Sequence, residues 1–348
     1  MRAIVFHAHG GPEQLGLHEL PDPVAGPCQV VVCVHACALN RLDLWVRGGL
    51  PGSRLPLPHV LGSDIAGVVE SLGPGVESSW LGRPVVVNPG LSCGTCSMCL
   101  SGWDNLCPQY RILGETAPGG YAERVLVPAA NLLAKPDNLD MITAAAAPLT
   151  FLTAWQMLTV RAQVGPGVLV LIHAVGSGVG VAGLQIANMH GARVIALASS
   201  EAKLERARAL GAEFTIRSDA PDWEKQVRAL APVGKRGVDV VFEHTGMATW
   251  EASLRLARRG GTIVTCGASS GHAASTDLRQ VFFRQLQVLG STMGSKAHLH
   301  RIVDLMARGE LRPVVDRCFP LVEAAEAQRY LDRREQFGKV VLTVDANS

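Results

Sequence analysis

Four cysteines fall within fifteen residues as Cys93-x2-Cys96-x2-Cys99-x7-Cys107, in a loop that also carries Pro89, Gly90, Trp103 and Asp104. Four thiolates delivered from one short loop can meet at the corners of a tetrahedron around a divalent metal. They leave no coordination position for water or substrate, which describes a closed structural zinc site. Zinc would stabilise a lobe with too little apolar content to hold itself together. A redox disulfide or an iron-sulfur cluster draws on the same residue type, and the spacing favours zinc over both. The chain has nine cysteines in all, an odd number crowded into one segment, so reduced thiols with one metal site are expected rather than a disulfide framework.

A second stretch with chemical potential is Ala174-Val175-Gly176-Ser177-Gly178-Val179-Gly180. It follows the continuous apolar run Val168 to Ile172 and precedes an apolar-periodic segment from Val179 to Met189, so it sits where a strand turns into a helix. Glycine there lets backbone approach a pyrophosphate, whose charge a helix N-terminus favours. The spacing is not a strict G-x-G-x-x-G, because Val175 and Ser177 occupy the first two glycine positions of the frame that ends at Gly180. Ala174, Gly176, Ser177, Gly178, Val179 and Gly180 are the expected cofactor-binding residues of this turn.

About twenty residues on, where an NAD site places an acidic residue on the ribose hydroxyls, the chain reads Ala198-Ser199-Ser200-Glu201-Ala202-Lys203. Ser199 and Ser200 can donate to a 2′-phosphate and Lys203 can neutralise it, which favours NADP(H). Glu201 argues the other way, and Ser200-Glu201 is equally a helix start. His173, His244 and Gly267 follow core strands on the expected cofactor side. Each histidine is open to either a cofactor contact or a backbone-bonded structural role.

These segments need positioning elements, and the chain supplies them in two styles. Residues 1–145 read as short β-rich pieces punctuated by Gly and Pro: 3–6, 30–34, 65–69, 84–87 and 121–127. From about Ala144 strand and helix alternate, with strands at 168–172, 193–197, 238–242 and 261–266 and helices at 179–189, 201–210 and 249–257. Such alternation implies a parallel sheet covered on both faces. A tail with helices at 296–308 and 323–331 and a last strand at 339–343 can return to the first domain. The expected fold class is therefore α/β, with a β-rich domain of residues 1–145 and 296–348 that includes a metal lobe at 90–110, and a doubly wound parallel-sheet domain of residues 146–295.

Composition agrees with a soluble globular protein of about two domains. The chain has 348 residues, 48% of them hydrophobic and 18% charged, enough to bury a sizeable core. Its formal charge of +2 gives no bulk reason to expect nucleic acid or an anionic membrane surface. No apolar run approaches the roughly 20 residues of a membrane span, and the start of the chain does not read as a secretory signal. A cytoplasmic location is expected.

Taken together, the cysteine lobe, the Ile172–Gly180 turn and the segments Ala38-Leu39-Asn40-Arg41-Leu42-Asp43-Leu44-Trp45, Leu61-Gly62-Ser63-Asp64-Ile65-Ala66-Gly67 and Pro148-Leu149-Thr150-Phe151-Leu152-Thr153-Ala154-Trp155 resemble the medium-chain dehydrogenase/reductase superfamily. The resemblance covers essentially the whole chain. It implies a GroES-like domain, a Rossmann domain, a substrate cleft where they meet, and a homodimer or homotetramer. Zinc alcohol dehydrogenases of the superfamily carry Cys in G-x-C-x-x-D, His in G-H-E and a later Cys or Asp as ligands of a catalytic zinc. Here Asn40 stands at the first position, Ser63 with Asp64 at the second and Leu149 at the third. Leucine cannot bind zinc, and Asn with Ser is a poor pair for it. The Asn40 and Leu149 segments look instead like the quinone oxidoreductase branch, which works without catalytic zinc.

The candidate catalytic residues are Asn40, Asp43 and Trp45. On a short helix from Leu42 to Arg47, Asn40, Asp43 and Arg47 share one face and Trp45 points elsewhere. The Asn40 amide is expected to donate to the carbonyl oxygen of an electron-poor alkene, a hydrogen bond in place of a Lewis acid. Water is the expected proton source. Asp43 and Arg47 are open to an i, i+4 ion pair or to a cofactor or substrate role. His59 is expected to be structural rather than a replacement ligand beside Asp64 and Asp43. Cys37 and Cys266 are expected to pack as small apolar residues.

The resulting expectation is an NADPH-dependent reductase of enals, enones or quinones, with one structural zinc and no catalytic metal. Its small-molecule partner is a carbonyl, enone or quinone. Two rivals stand beside it: a zinc-dependent alcohol or polyol dehydrogenase with a rearranged site, and a non-catalytic NADPH-binding regulatory or RNA-binding protein.

Overall fold

The computed structural model describes residues 1–50, 55–231, 234 and 236–344. The chain divides into two compact units, one formed by Met1–Leu152 with Gly294–Ser348 and the other by Thr153–Met293.

In the first unit the central element is the ten-residue strand Gln29–Ala38, whose β-branched run Val30-Val31-Val32 is buried on both sides of the sheet. It pairs antiparallel with Asp64–Leu72 along one edge. Along the other edge it pairs first with Arg124–Pro128 and then with Lys339–Thr343. Register shifts within the Asp64–Leu72 pairing bend the strand, which lets one edge serve two partners. The tail thus closes the domain that the N-terminal part begins, and Lys339–Thr343 runs parallel to Val315–Pro320. Phe6, Leu39, Leu61, Ile65, Tyr121 and Val340 lie in the core between these strands.

The second unit is a six-stranded parallel sheet. Its spatial order is Phe214–Arg217, Arg193–Ala198, Leu169–Ile172, Val238–Glu243, Ala257–Thr265 and Gln287–Gly290. All four residues of Leu169–Ile172 are buried, as a central strand covered by helices on both faces requires. The order reverses between Leu169–Ile172 and Val238–Glu243, and a doubly wound sheet offers its ligand crevice at the carboxyl ends of such a pair.

Several elements differ from the sequence expectation. The strand expected at 121–127 begins at Arg124, because Tyr121 and Ala122 pair elsewhere, Ala122 through a lone bridge to Ala3. The strand expected at 261–266 starts earlier, at Ala257. Strands at Phe214–Arg217 and Gln287–Gly290 and helices at Trp223–Ala229 and Leu278–Arg284 were not expected at all. Among the described residues, no helix is long and apolar enough to cross a membrane.

Candidate functional site

The helix Arg41–Gly48 starts directly after Asn40, in extended backbone. Asp43 is its third residue, so its carboxylate can turn back onto N–H groups that the first helical turn leaves unpaired. It accepts the Asn40 N–H at 2.6 Å and the Gly62 N–H at 3.1 Å. Asp43 is fully buried, and burial pushes its carboxyl up to about 6. Gly62 approaches so closely that a Cβ there would collide with the Tyr121 ring and the Cys37 sulfur, and its φ of +100° also demands glycine.

The Asp43–Arg47 ion pair weighed from the sequence does not form. Arg47 donates from Nε to Gln328 Oε1 at 2.6 Å and from Nη1 to the Gly10 carbonyl at 2.5 Å, because Asp43 is already turned toward the helix start. Trp45 is half-buried and takes no part in these hydrogen bonds.

Strand register explains what surrounds Asn40. Ala38 stands opposite Asp64 on one side and opposite Val341 on the other. Two residues further along, Asn40 therefore faces Lys339, and the Leu39 N–H to Val340 carbonyl bond at 2.9 Å carries the pairing that far. Lys339 Nζ donates to Asn40 Oδ1 at 2.6 Å and to Asp64 Oδ2 at 2.8 Å. Asn40 Nδ2 donates to Asp64 Oδ2 at 2.9 Å, and the other Asp64 oxygen accepts the Leu149 N–H at 2.6 Å. All three side chains are buried: Asn40 is 6% exposed, Lys339 4% and Asp64 0%.

Asn40, expected from the sequence to donate to a substrate carbonyl, thus has protein partners at both ends of its amide. One N–H is held by Asp64, while the second finds no acceptor among the described residues. The three segments that the resemblance aligns with a catalytic zinc site do converge here, through Asn40, Asp64 and Leu149. An ammonium group closes them together. Ser63 Oγ, beside them in sequence, is buried with no hydrogen-bond partner.

His59 is not part of this cluster. Its Nε2 lies 3.3 Å from the Gly114 carbonyl, and burial lowers its pKa. Among the described residues, the four cysteines are the one set of three or more His, Cys, Asp or Glu ligand atoms that gather closely enough for a metal. Cys37 is buried in the core, and burial raises its thiol pKa, as it does for Cys266.

Cys93, Cys96, Cys99 and Cys107 place their sulfurs within 4.8 Å of one another. Sulfurs at the corners of a tetrahedron with ~2.3 Å metal bonds are ~3.8 Å apart. Three pairs measure 3.9 Å (Cys93 to Cys99), 3.6 Å (Cys96 to Cys99) and 3.6 Å (Cys93 to Cys107). The donor set and spacing thus fit a tetrahedral thiolate site. The Cys96 N–H points at Cys93 Sγ (3.3 Å) and the Gln109 N–H at Cys107 Sγ (3.4 Å), both of which favour thiolates. Contacts from the Thr95 and Cys96 N–H groups pull the Cys93 thiol down to about 6. Met98, Leu100, Trp103 and Leu106 are exposed on the lobe, so it has little core of its own.

In the second unit, Ser177 caps the helix Gly178–Met189, its hydroxyl accepting the Gly180 N–H at 2.9 Å. A Cβ on Gly180 would lie 2.7 Å from the Val175 carbonyl oxygen and 2.8 Å from that of Ala174, so the turn packs only with glycine there. Ala174 is exposed in the left-handed region, at φ +43°. Gly176 is buried, and Gly178 and Val179 are partly exposed at the helix start.

Ser199 is exposed at the end of its strand. Ser200 caps the next helix, Glu201–Ala209, by accepting the Lys203 N–H at 3.4 Å. The helix-start reading of Ser200 therefore holds, and its hydroxyl proton is still able to donate. Glu201, the objection to a 2′-phosphate, is drawn to Arg208 at 2.7 Å. His244 donates from Nε2 to the His173 carbonyl at 2.7 Å, a backbone bond that leaves its other ring nitrogen for the expected cofactor side, and burial lowers the pKa of both histidines. A Cβ on Gly267 would sit 2.9 Å from the His244 carbonyl oxygen.

Two sets of residues escaped the sequence reading. Lys339 was seen only as part of a closing strand, and the register of that strand against Gln29–Ala38 is the signal that places it. Glu243 ends a core strand fully buried, accepting from Thr245 N–H (2.7 Å), Gly246 N–H (3.0 Å), Thr249 Oγ1 (2.8 Å) and Ser253 Oγ (2.6 Å). An acid at the end of an apolar run was its only sequence trace.

Residues 26–137 match the family model of the alcohol dehydrogenase GroES-like domain, and residues 178–308 match that of zinc-binding dehydrogenases. A crystal structure of an NAD-dependent alcohol dehydrogenase is 54% identical and superposes with a TM-score of 0.96, over 99% of this chain and 100% of that one. Crotonyl-CoA reductase of Streptomyces avermitilis is 32% identical over 94% of this chain and 81% of its own length. A 2-haloacrylate reductase of a Burkholderia species is 32% identical over 99% of each. With a GroES-like unit, a doubly wound unit and relatives that match across nearly its full length, the chain belongs to the medium-chain dehydrogenase/reductase superfamily and is an oxidoreductase of that type.

Proposed function

We propose that this oxidoreductase reduces the carbon–carbon double bond of an enal or enone, or a quinone, with NADPH and without a catalytic metal. The observation that carries this reading is the Asn40–Asp64–Lys339 cluster: where zinc-dependent members hold ligands, this chain has the amide of Asn40, the hydroxyl of Ser63 and the apolar Leu149, and the adjoining Asp64 carboxylate is tied up by its own neighbours. Asn40 would meet a substrate carbonyl oxygen with its remaining N–H. That device is weaker than a Lewis acid and suits acceptors that are already electron-poor. Asp64 and Lys339 keep the amide from turning. NADPH supplies the hydride when bound. Ala174, Gly176, Ser177, Gly178, Val179 and Gly180 would hold its pyrophosphate, and Ser199, Ser200 and Lys203 its 2′-phosphate. The cysteine set would hold a structural zinc that shapes the lobe and takes no part in the reaction.

The reductase relatives acting on crotonyl-CoA and 2-haloacrylate support the alkene reading, since both names denote conjugated acceptors. The 54% identical alcohol dehydrogenase favours a second one, oxidation of a saturated alcohol. A single comparison separates them. NADPH oxidation is followed with a panel of enals, enones and quinones, and NAD(P)+ reduction with a panel of primary and secondary alcohols. Turnover on the first panel is expected. Activity confined to the second, and abolished by brief chelation, would move the alcohol dehydrogenase reading to the front. Tight NADPH binding with no turnover on either would point to a non-catalytic protein.

A further inference from the structure

We infer that Lys339 is the positioning residue of this site: its ammonium holds the Asn40 amide in the one orientation that presents an N–H to a small carbonyl substrate. The inference rests on the reductase reading above for its consequence in turnover.

What each group can donate or accept fixes the arrangement. An ammonium only donates, so the Asn40 atom 2.6 Å from Lys339 Nζ must be the amide oxygen. An ionised carboxylate only accepts, so the atom 2.9 Å from Asp64 Oδ2 must be the amide nitrogen. Turning the amide over would face N–H groups toward an ammonium and an oxygen toward a carboxylate, and both contacts would become repulsive. The two partners thus fix which end of the amide points where. Among the described residues, the second N–H of Asn40 has no acceptor. A third effect works in the same direction, because a cation on the amide oxygen withdraws electron density and makes the remaining N–H a better donor.

Lys339 is itself well held. Its ammonium bonds to Asp64 at 2.8 Å, its backbone N–H donates to the Val314 carbonyl at 2.9 Å, and its strand pairs with both Gln29–Ala38 and Val315–Pro320. A long, flexible side chain buried to this degree loses its rotamer freedom, which is what a positioning role needs. As hydride adds to the β-carbon of an enone, negative charge gathers on the carbonyl oxygen. The Asn40 N–H would meet that charge, with the ammonium one hydrogen bond behind it. The α-carbon then takes its proton from water.

The test is a double-mutant cycle with Lys339→Met and Asn40→Ala, read on the best substrate of the enone and quinone panel. Lys339→Met should lower kcat about 10- to 100-fold, with KM and NADPH affinity changed less than about threefold. In the Asn40→Ala background the same substitution should change kcat less than about threefold, since the group it positions is gone. An equal fold loss in both backgrounds would overturn the inference. Methylammonium should restore part of the kcat of Lys339→Ala but not that of the Lys339→Ala, Asn40→Ala double variant, a difference that a purely structural lysine would not show.

A second measurement does not depend on turnover or on Lys339→Met folding. In protein labelled with 15N-asparagine, one side-chain amide proton of Asn40 in the wild type, the one bonded to Asp64, should lie downfield of the ordinary asparagine range and exchange slowly with water. In Lys339→Arg, which keeps the charge but moves the donors, that resonance should shift. Asn40 side-chain protons at ordinary asparagine positions with fast solvent exchange in the wild type, unchanged in Lys339→Arg, would overturn the inference even if alkenes are reduced. Absence of turnover on the panel, with the amide fixed as described, would remove the reductase reading and leave the positioning intact.

Discussion

The lobe at Cys93–Cys107 and the cluster at Asn40, Asp64 and Lys339 handle buried charge in opposite ways. In the lobe, four soft donors gather at tetrahedral spacing, and neighbouring backbone N–H groups favour their charged form. Thiolates so close together repel unless a cation sits among them, so the lobe's stability is tied to a metal. In the cluster, the cation is part of the chain. Lys339 lies 2.8 Å from Asp64, and the carboxylate also accepts from Asn40 and from the Leu149 backbone. A buried ion pair of this kind is costly unless its partners are bonded, and here both oxygens of Asp64 accept hydrogen bonds while Lys339 uses two of its three donors. The difference teaches that convergence of segments does not itself make a metal site. The charge and softness of the side chains delivered decide it.

Zinc analysis is the strongest way to break that comparison. Purified without chelator, the protein should contain one zinc per chain, and Cys96→Ser should lose most of it. Structural zinc contributes on the order of 10 kcal/mol to the folding of small thiolate lobes, so the variant should become cleavable by protease within residues 93–107 while its two core clusters stay folded. Two zincs per chain would mean that the Asn40 region accepts a metal after all, and the contrast would fail.

How much of this was legible beforehand follows from sequence distance. The cysteine lobe and the Ala174–Gly180 turn are local, and their ligands or backbone groups lie a few residues apart. The strands Pro84–Val87 and Lys339–Thr343 announce themselves as apolar β-branched runs. Phe214–Arg217 and Gln287–Gly290 have no such run, because an edge strand buries less of itself: only Ile216 is buried in the first, and no residue in the second. The Lys339–Asn40 bond joins residues 299 apart, and no local pattern reports it. The partners of Asp43 were misjudged for a related reason. Helical spacing suggests Arg47, but a carboxylate in the first turn has unpaired N–H groups nearer to hand.

The internal-charge half of the comparison sharpens with pH. The folded pKa of Asp43, about 6, lies above its ordinary value of 3.8, so between these values the folded chain keeps a proton that the unfolded chain has released. The contribution of Asp43 to stability is therefore most favourable below about pH 4 and is lost as pH rises through 6, the reverse of an exposed, paired carboxylate. The gap between the folded and ordinary values corresponds to roughly 3 kcal/mol. Asp43→Asn removes this pH dependence, so denaturant midpoints of variant and wild type, compared at pH 4.5 and 7.5, should move in the variant's favour at the higher pH. A pH-independent difference would show that Asp43 is charged in the fold at both values.

The smallest effect concerns a lysine whose charge is not sealed inside. Lys203 is partly exposed on the first turn of Glu201–Ala209, after the Ser199-Ser200 pair. Lys339 acts between buried groups, whereas the attraction of a half-exposed ammonium to an anion is screened by water and salt. Lys203→Ala should therefore weaken NADPH binding only about 5- to 30-fold, or roughly 1–2 kcal/mol, with NADH binding nearly unchanged. The NADPH loss should shrink as salt is raised. Equal weakening of both cofactors would mean that Lys203 supports the helix rather than reading a 2′-phosphate. In that case Glu201, despite its contact with Arg208, would become the residue to test on the ribose hydroxyls.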